Sequence, residues 1–365
     1  MTGKQQTHPL VTIRTLKDLA AALGVSRTTV SNAFNRPDQL SPQLRERILN
    51  EAQNLGYPGP DPVARKLRTG RAAAIGVLFG DTLPYAFTDA AAIGFLRGVA
   101  QICEQHHVGM LILPVQNEPS AGKMIRDAAV DGFITYCLPD ESPVIPYILE
   151  RRVPTVGVEQ NNMKGAVWVS IDDTAGAAAA ARHLLELGHR RMAILSLDLK
   201  PDRHAGRVSD ARRRGVLYQG TAHRLSGYDV AFKAAGIDPA TVPVIECPGN
   251  ERKLARELTM SLLQGEQAPT AILAMSDVLA AGALQAAETL GIPVPERLSI
   301  AGFDDIPLAT QVRPTLTTVR QPLQEKGQLA ARLLLDARLR DKGKREHILE
   351  TALIVRESTA RPFLA

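Results

Sequence analysis

Gly24 to Asn35 reads "GVSRTTVSNAFN", and the organisation of the chain follows from that stretch. Gly24 permits a sharp turn and Val25 can fill the angle behind it. Ser26 is a favourable helix N-cap. In the helix that follows, Val30, Ala33 and Phe34 fall on one side and leave Arg27, Thr28, Ser31, Asn32 and Asn35 outside. Upstream, Thr15 caps a helix with Asp18 three residues on, and Leu16, Leu19, Ala20 and Leu23 give it one apolar face. Downstream, Ser41 and Pro42 start a third helix, striped by Leu44, Ile48, Ala52 and Leu55 and ended by Gly56. Two helices joined by a short Gly-containing turn form a helix-turn-helix, whose second helix enters the DNA major groove. A face of Arg, Thr, Ser and Asn offers donors and acceptors to base edges and phosphates. The plainer reading is a three-helix cap with a solvated face.

Charge separates this module from the rest. Positions 1–71 hold eleven basic and five acidic residues, a net +6, within a chain whose total is +5. The body is therefore close to neutral, and a basic module on a neutral body points to an anionic polymer. At 365 residues the chain calls for two or three domains, and 45% apolar content suffices for cores without staples. Cys103, Cys137 and Cys247 are odd in number and far apart, so they read as buried small hydrophobes. The N-terminus "MTGKQQTHPLV" lacks the apolar segment of a signal peptide, and no apolar run nears the ~20 residues of a membrane span. The expectation is a cytoplasmic protein with no membrane partner.

The run Val11–Arg71, with "TVS", "LSPQLRERIL", "LGY" and "VARKLRTGR" in order, resembles the DNA-binding head of LacI/GalR (lactose-repressor-type) regulators. The resemblance places Arg27, Thr28 and Asn32 at base-reading positions. Asn32 stands where many members carry Arg, which changes the preferred base from guanine towards adenine. Ser26, Thr29, Ser31 and Asn35 match phosphate contacts. In "GYPGPDPVARKLRTGR", Pro58, Pro60 and Pro62 stop the third helix, and residues 63–67 are too short for a stable helix alone in water. A flexible linker is the plainer reading. The resemblance implies a hinge helix formed on the operator, with Leu67 as the minor-groove wedge, Ala64 packing on its symmetry mate, and Arg65, Lys66 and Arg68 near phosphates.

Beyond residue 72 short apolar runs alternate with helical stretches: "AAAIGVLFG", "VGMLILP", "DGFITYC", "VPTVGV", "AVWVSID", "RRMAILSL", "PTAILAM" and "RLSIAGFDD". Such runs are strands of parallel sheets covered on both faces, too many for one sheet. The fold class is α/β: a three-helix helix-turn-helix head and a two-lobed body with doubly wound parallel sheets. A cleft between the lobes, at the strands' carboxyl ends, is the natural ligand site. No Walker A, dinucleotide-binding, nucleophile-elbow or zinc-protease motif occurs, so no catalytic residue and no cofactor are expected. His183 and His189 flank a helix end and suit its dipole better than a metal.

The segments "VSIDDTAGAAAAARHLLELGHRRMAIL" and "RLSIAGFDDIPLATQVRPTLTTVRQPLQEKGQLAARLLL" resemble the effector-binding core of the same family, itself similar to periplasmic sugar-binding proteins. The resemblance gives Glu159, Arg224, Ser276 and Asp304 as effector contacts, with Phe87, Asp89 and Phe303 completing the set. Asp172 and Asp277 sit where N-caps belong. The segment from Asp198 to Arg224 is long and basic, and reads as a mobile surface loop or lid whose Arg212, Arg213 and Arg214 form a solvated run. Expected boundaries are a head at 1–58, a hinge at 59–71 and a body at 72–365, its lobes roughly 72–168 plus 321–350, and 169–320 plus 351–365. Expected partners are a pseudo-palindromic double-stranded operator, a small-molecule effector of carbohydrate type, and a second copy in a homodimer, with a tetramer possible. The competing readings are a small-molecule-binding protein without a DNA role and an α/β enzyme with an accessory DNA-binding head.

Overall fold

The computed structural model describes residues 15–57, 59, 70–116, 118–139, 141–160, 163, 165–340 and 345–363. It divides into two units, Met1–Ala72 and Ala73–Ala365.

Local capping chemistry sets the first unit. Helix α1 (Leu16–Leu23) opens on a capping box in which the Thr15 hydroxyl accepts from the Asp18 amide and the Asp18 carboxylate accepts from the Thr15 amide. It ends at Gly24, whose left-handed φ of 65° turns the chain with no Cβ in the way. Helix α2 (Arg27–Asn35) is capped by Ser26 and α3 (Pro42–Asn54) by Ser41 with Pro42 in its first turn. Leu19, Ala20, Val30, Ala33, Ile48, Ala52 and Tyr57 close a small core, and Phe34 meets Tyr57 edge to face at 5.9 Å. Arg45 donates to the Ala33 carbonyl at 3.2 Å and ties α3 to α2. Ala64, Arg65, Lys66, Leu67 and Arg68 lie outside the described residues.

The second unit contains two sheets. Strands β1 (Ala74–Phe79), β2 (Gly109–Pro114), β3 (Phe133–Tyr136), β4 (Thr155–Val158) and β5 (Val167–Ile171) join β12 (Glu346–Leu349) in an all-parallel sheet of order β12-β5-β4-β3-β1-β2. Strands β6 (Met192–Ser196), β7 (Gly206–Arg207), β8 (Val244–Glu246), β9 (Ala271–Ala274), β10 (Ser299–Asp304), β11 (Thr317–Arg320) and β13 (Ala352–Ile354) form the other, of order β13-β11-β10-β9-β6-β8-β7. Its edge strands β7 and β13 run antiparallel to their neighbours. Since β5 belongs whole to the first sheet, the chain leaves that lobe after Ile171 and not at 168.

Helices cover both faces of each sheet, as nearly continuous apolar strands require. On the first sheet, α4 (Ala90–Gln105) packs one face, and α5 (Glu118–Asp127) and α6 (Ile145–Glu150) pack the other. On the second, α7 (Asp173–Glu186) and α9 (Gln219–Ala234) oppose α10 (Arg252–Leu263) and α11 (Asp277–Thr289), with the short α8 (Asp210–Arg214) at the β7–β8 edge and α12 (Leu308–Gln311) after β10. The chain then returns to the first lobe as α13 (Leu323–Leu335) and the short α14 (Ala337–Arg340). Helices α4 and α13 cross at Gly98 and Gly327, where a Cβ on either would overlap the backbone of the facing helix.

Three sequence readings change here. The basic segment after Asp198 is ordered and paired. Arg212 forks between Asp202 (2.6 and 2.7 Å) and the fully buried Glu246 (2.5 and 2.8 Å), and Arg213 pairs with Asp229, while Arg214 is exposed. Glu246 at the end of a buried strand needs that charge, which is why the arginines fold inward. His189 is not a dipole partner. It is buried and bonds Thr270, Ser299 and the Ala360 carbonyl at 2.9–3.0 Å, while His183 meets Thr359 at 2.9 Å, so both fasten the C-terminal segment. Burial lowers both imidazole pKa values and favours the neutral ring. Asp277 is the first residue of α11 and not its cap. Ser276 caps, and the buried Asp277 carboxylate accepts from Thr318 at 2.5 Å and from the Ile306 amide at 2.9 Å.

Candidate functional site

On the helical unit, seven polar residues of the α2 face divide by what their side chains already do. Ser26 accepts from the Thr29 amide at 3.0 Å and shares a 2.8 Å bond with the Thr29 hydroxyl. Asn35 folds back to donate to the Ser31 carbonyl at 2.9 Å. Arg27, Thr28 and Asn32 make no side-chain hydrogen bond among the described residues; Arg27 and Thr28 are exposed and Asn32 half-buried. Arg27, Thr28 and Asn32, the residues expected from the sequence to read bases, thus carry unspent donors and acceptors, while the others stiffen the helix start and end. The α2 N-terminus, capped by Ser26 at the Thr29 amide and carrying Arg27, has the positive dipole end and the cation that suit an anion.

In the second unit a cleft of about 170 Å³ lies between the two sheets. It sits at the carboxyl ends of the parallel strands, as open α/β sheets dictate. From the first lobe come Asp81 after β1, Cys137 after β3 and Glu159 after β4. From the second come Asp198 after β6, Asn250 after β8, Ser276 after β9 and Asp304 closing β10, and Gln321 follows β11. Four of these residues, Cys137, Glu159, Asn250 and Asp304, hold positive φ angles of 52°, 56°, 50° and 111°. Each such backbone costs of order 1–3 kcal/mol in a residue other than Gly and clusters where a site needs a side chain aimed against local preference.

Two buried cations organise the polar floor. Arg224 on α9 donates to Asp173 at 2.7 Å and to the Met275 carbonyl, stands 3.7 Å from Asp304, and lies 3.7 Å over the Phe303 ring. Lys326 on α13 donates to Glu159 and, at 2.7 Å, to the Gln321 side-chain oxygen Oε1; the Gln321 side-chain Nε2 donates to Asp304 at 2.6 Å. A continuous chain of bonds therefore links Glu159 of one lobe to Asp304 of the other. Ser276 donates to Asn250 at 2.5 Å while capping α11, and Asn250 donates to Asp89 at 3.1 Å, a second bridge across the cleft.

Charge states follow from these contacts. Burial pushes the Glu159 carboxyl up, but Lys326 and then Arg224 outweigh it and hold the pKa at about 2. Burial raises Asp304 to about 7, against Arg224 and with help from Asp89. Burial also raises Asp173 and Asp198. The Cys137 thiol, raised by burial and by Glu159, stays protonated and donates to Glu159 at 3.2 Å.

Of the residues read from the sequence as effector contacts, Glu159, Arg224, Ser276, Asp304 and Asp89 line this cleft. Phe87 does not: the short helical turn Tyr85–Phe87 points Tyr85 into the cleft and leaves Phe87 62% exposed. Phe303 does not line it either: it is fully buried in the core and supports Arg224 from below. Cys137, expected as an inert core residue, lines the cleft. Tyr85, Tyr136, Asp198, Asn250 and Gln321 were not singled out, although several follow a strand end, the signal that could have found them. Among the described residues no cluster of His, Cys, Asp or Glu could hold a metal ion, and no helix is long and apolar enough to cross a membrane.

Residues 15–59 match the family model for bacterial regulatory proteins of the lacI family, and residues 181–359 match a periplasmic binding protein-like domain. An HTH-type transcriptional regulator of Mycobacterium tuberculosis is 41% identical over 325 residues, covering 88% of this chain and 90% of the relative. The crystal structure of a LacI family transcriptional regulator from Corynebacterium glutamicum aligns with a TM-score of 0.71 at 34% identity, covering 98% of this chain and 99% of that one. The complex of the transcriptional regulator CelR with cellobiose aligns with a TM-score of 0.67 at 26% identity, covering 94% and 99%.

Proposed function

The chain belongs to the LacI family of bacterial transcriptional regulators, and from that premise we propose that it is a repressor whose operator affinity is set by a small carbohydrate-type effector. It is a DNA-binding regulator and not an enzyme. The observation that carries the reading is the cleft at the strand ends of both sheets, crossed by two hydrogen-bonded bridges and lined by polar groups on strained backbone. A ligand in such a cleft competes for both bridges and so biases one lobe against the other. The cellobiose held by the CelR regulator supports a carbohydrate.

We assign residues 1–58 to the DNA-binding head, 59–71 to a hinge and the remainder to the effector body. Arg27, Thr28 and Asn32 read bases, while Ser26, Thr29, Ser31 and Asn35 position the helix on phosphates. A homodimer places two heads on a pseudo-palindrome. Leu67 wedges the minor groove. Coupling of about 1–3 kcal/mol between effector and operator corresponds to a 5–150-fold change in operator affinity, and the same factor applies to effector affinity when operator is bound.

The test is selection of bound fragments from genomic DNA by the full chain, with and without candidate sugars, followed by titration of the enriched site. The expected result is a two-fold symmetric site, an affinity that falls ~10³–10⁵-fold between 50 and 200 mM salt, and a shift with one sugar class. Salt-independent binding or the absence of an enriched site rejects the DNA reading. Equal effector affinity with and without operator rejects the switch.

A further inference from the structure

Helix α2 ends abruptly. Arg36 leaves helical geometry at φ −142°, and its amide closes the last bond on the Asn32 carbonyl at 2.8 Å. The Ala33 carbonyl is next in line. Its helical donor would be the amide of residue 37, which is Pro37 and has no N–H. The last turn of α2 carries no basic residue that could serve the carbonyl from within the helix. Among the described residues its donor is Arg45 Nε, reaching across from α3 at 3.2 Å.

Arg45 is poorly placed for its own helix. It is the fourth residue of α3, near the positive end of that helix dipole, and the first turn there holds no acidic residue. The C-terminal end of α2 is where a cation is favoured. Both ends of the contact are fixed. Ser41 caps α3 and its carbonyl accepts from the Arg45 amide at 3.0 Å, while Ala33 is fully buried in the head's core. The two ends of α2 are therefore held by different devices: Ser26 holds the turn that carries Arg27 and Thr28, and Arg45 holds the turn that carries Asn32.

We propose that Arg45 is a positioning residue for sequence recognition, which sets the last turn of α2 through Nε and so fixes how Asn32 meets a base. The proposal rests on the reading of α2 as the base-reading helix and adds a residue outside its polar face. Arg45 acts as a donor to the backbone, not by neutralising a phosphate. Without that donor the Ala33 carbonyl has to turn outwards to water, and the last turn of α2 goes with it.

The experiment measures binding of the full chain to its selected site and to random duplex DNA over a salt series, for the wild type, Arg45→Met and Arg45→Gln. Gln places its amide nitrogen as many bonds from Cα as Nε of arginine, so it keeps the donor and loses the charge; Met loses both. We expect Arg45→Met to bind the selected site about tenfold more weakly, with affinity for random DNA unchanged. Its repeated selection should lose discrimination at the base pairs that Asn32→Ala also relaxes, and keep it where Arg27→Ala relaxes it. Arg45→Gln should recover most of the loss, and both variants should keep the wild-type salt slope. If Gln is as weak as Met, or the slope falls by about 1 in both variants, Arg45 acts by its charge and the proposal is overturned. Equal losses on the selected site and on random DNA assign Arg45 to the stability of the head alone and overturn it too. If the wild type selects no site at all, the DNA reading itself fails, which is a distinct outcome.

Discussion

Lys326→Met removes the cation that keeps Glu159 ionised in the floor of the cleft. The ammonium is 1% exposed and the carboxylate 11%, so solvent screens the pair little. Holding Glu159 at about 2 instead of 4.5 is worth about 3 kcal/mol at 1.36 kcal/mol per pH unit. That agrees with the roughly 3–5 kcal/mol typical when one partner of a buried pair is deleted. Because the folded-state pKa is depressed, the stabilisation is present above pH 4.5 and is lost as pH falls towards 2. The variant should therefore be about 3 kcal/mol less stable by denaturant titration at pH 7, and the gap should narrow between pH 4.5 and 3. In thermal melts the loss corresponds to ~6–12 °C at ~2–4 °C per kcal/mol. Adding Glu159→Gln to the variant should restore part of the loss, because the stranded charge is then gone. A loss under 1 kcal/mol at pH 7, or a gap that does not change with pH, would refute the assignment of Lys326 as the counter-ion.

Asp304, raised to about 7, should make effector affinity rise as pH goes from 6 to 8, since a hydroxyl donor selects the carboxylate. Calorimetry across that range checks it, and Asp304→Asn should flatten the profile. The same raised pKa means that its contribution to folding is greatest below pH 4 and is lost as pH rises through about 7. Arg212→Ala strands Glu246, which is left with the Leu199 amide at 2.7 Å, and should cost about 2–4 kcal/mol and weaken effector binding through the wall that carries Asp198 and Tyr218. Denaturation and calorimetry on one preparation check both effects. Asn32→Arg should change the selected binding site more than the affinity for random DNA, by about 1–3 kcal/mol of discrimination at one base pair; an unchanged site in a selection experiment counts against base contact. Gly98→Ala should destabilise by about 1–3 kcal/mol through overpacking against α13, measured by thermal melt.

Local signals were legible and distant ones were not. Thr15, Ser26, Ser41 and Gly24 announce the three helices because capping and left-handed turns act within three or four residues. The parallel strands were readable because burial on both faces leaves an apolar run with no competing explanation. Lys326 was not: in "QEKGQLAARLLL" it reads as one more charge on an amphipathic helix, and its partner Glu159 is 167 residues away. Arg212 and Arg213 misled for the same reason, since a run of three arginines reads as solvated until Glu246 and Asp229 are brought beside it. Phe303 was misassigned by its neighbour. Side chains alternate along β10, so adjacency to Asp304 places Phe303 on the opposite face, under Arg224, and the period of two would have excluded it.

The way the polar groups are shared between the lobes bears on how the cleft can respond to a ligand. Glu159, Lys326, Gln321 and Asp304 form one bonded series; Asp89, Asn250 and Ser276 form another. In each series one end belongs to the first sheet's lobe and the other to the second's. Every member of the two series is bonded to another group of the protein, so each series links the two lobes by direct hydrogen bonds. A hydroxyl that takes a lone pair of Asp304 or Asp89 competes with Gln321 or Asn250 for it, and loosening either bond acts on both lobes at once. Differential binding of that kind can bias a two-state equilibrium, because the ligand gains contacts in one arrangement that it lacks in the other. The positive φ values at Glu159, Asn250 and Asp304 fit the same account: the backbone is held off its preferred region at the residues where the two series end or turn.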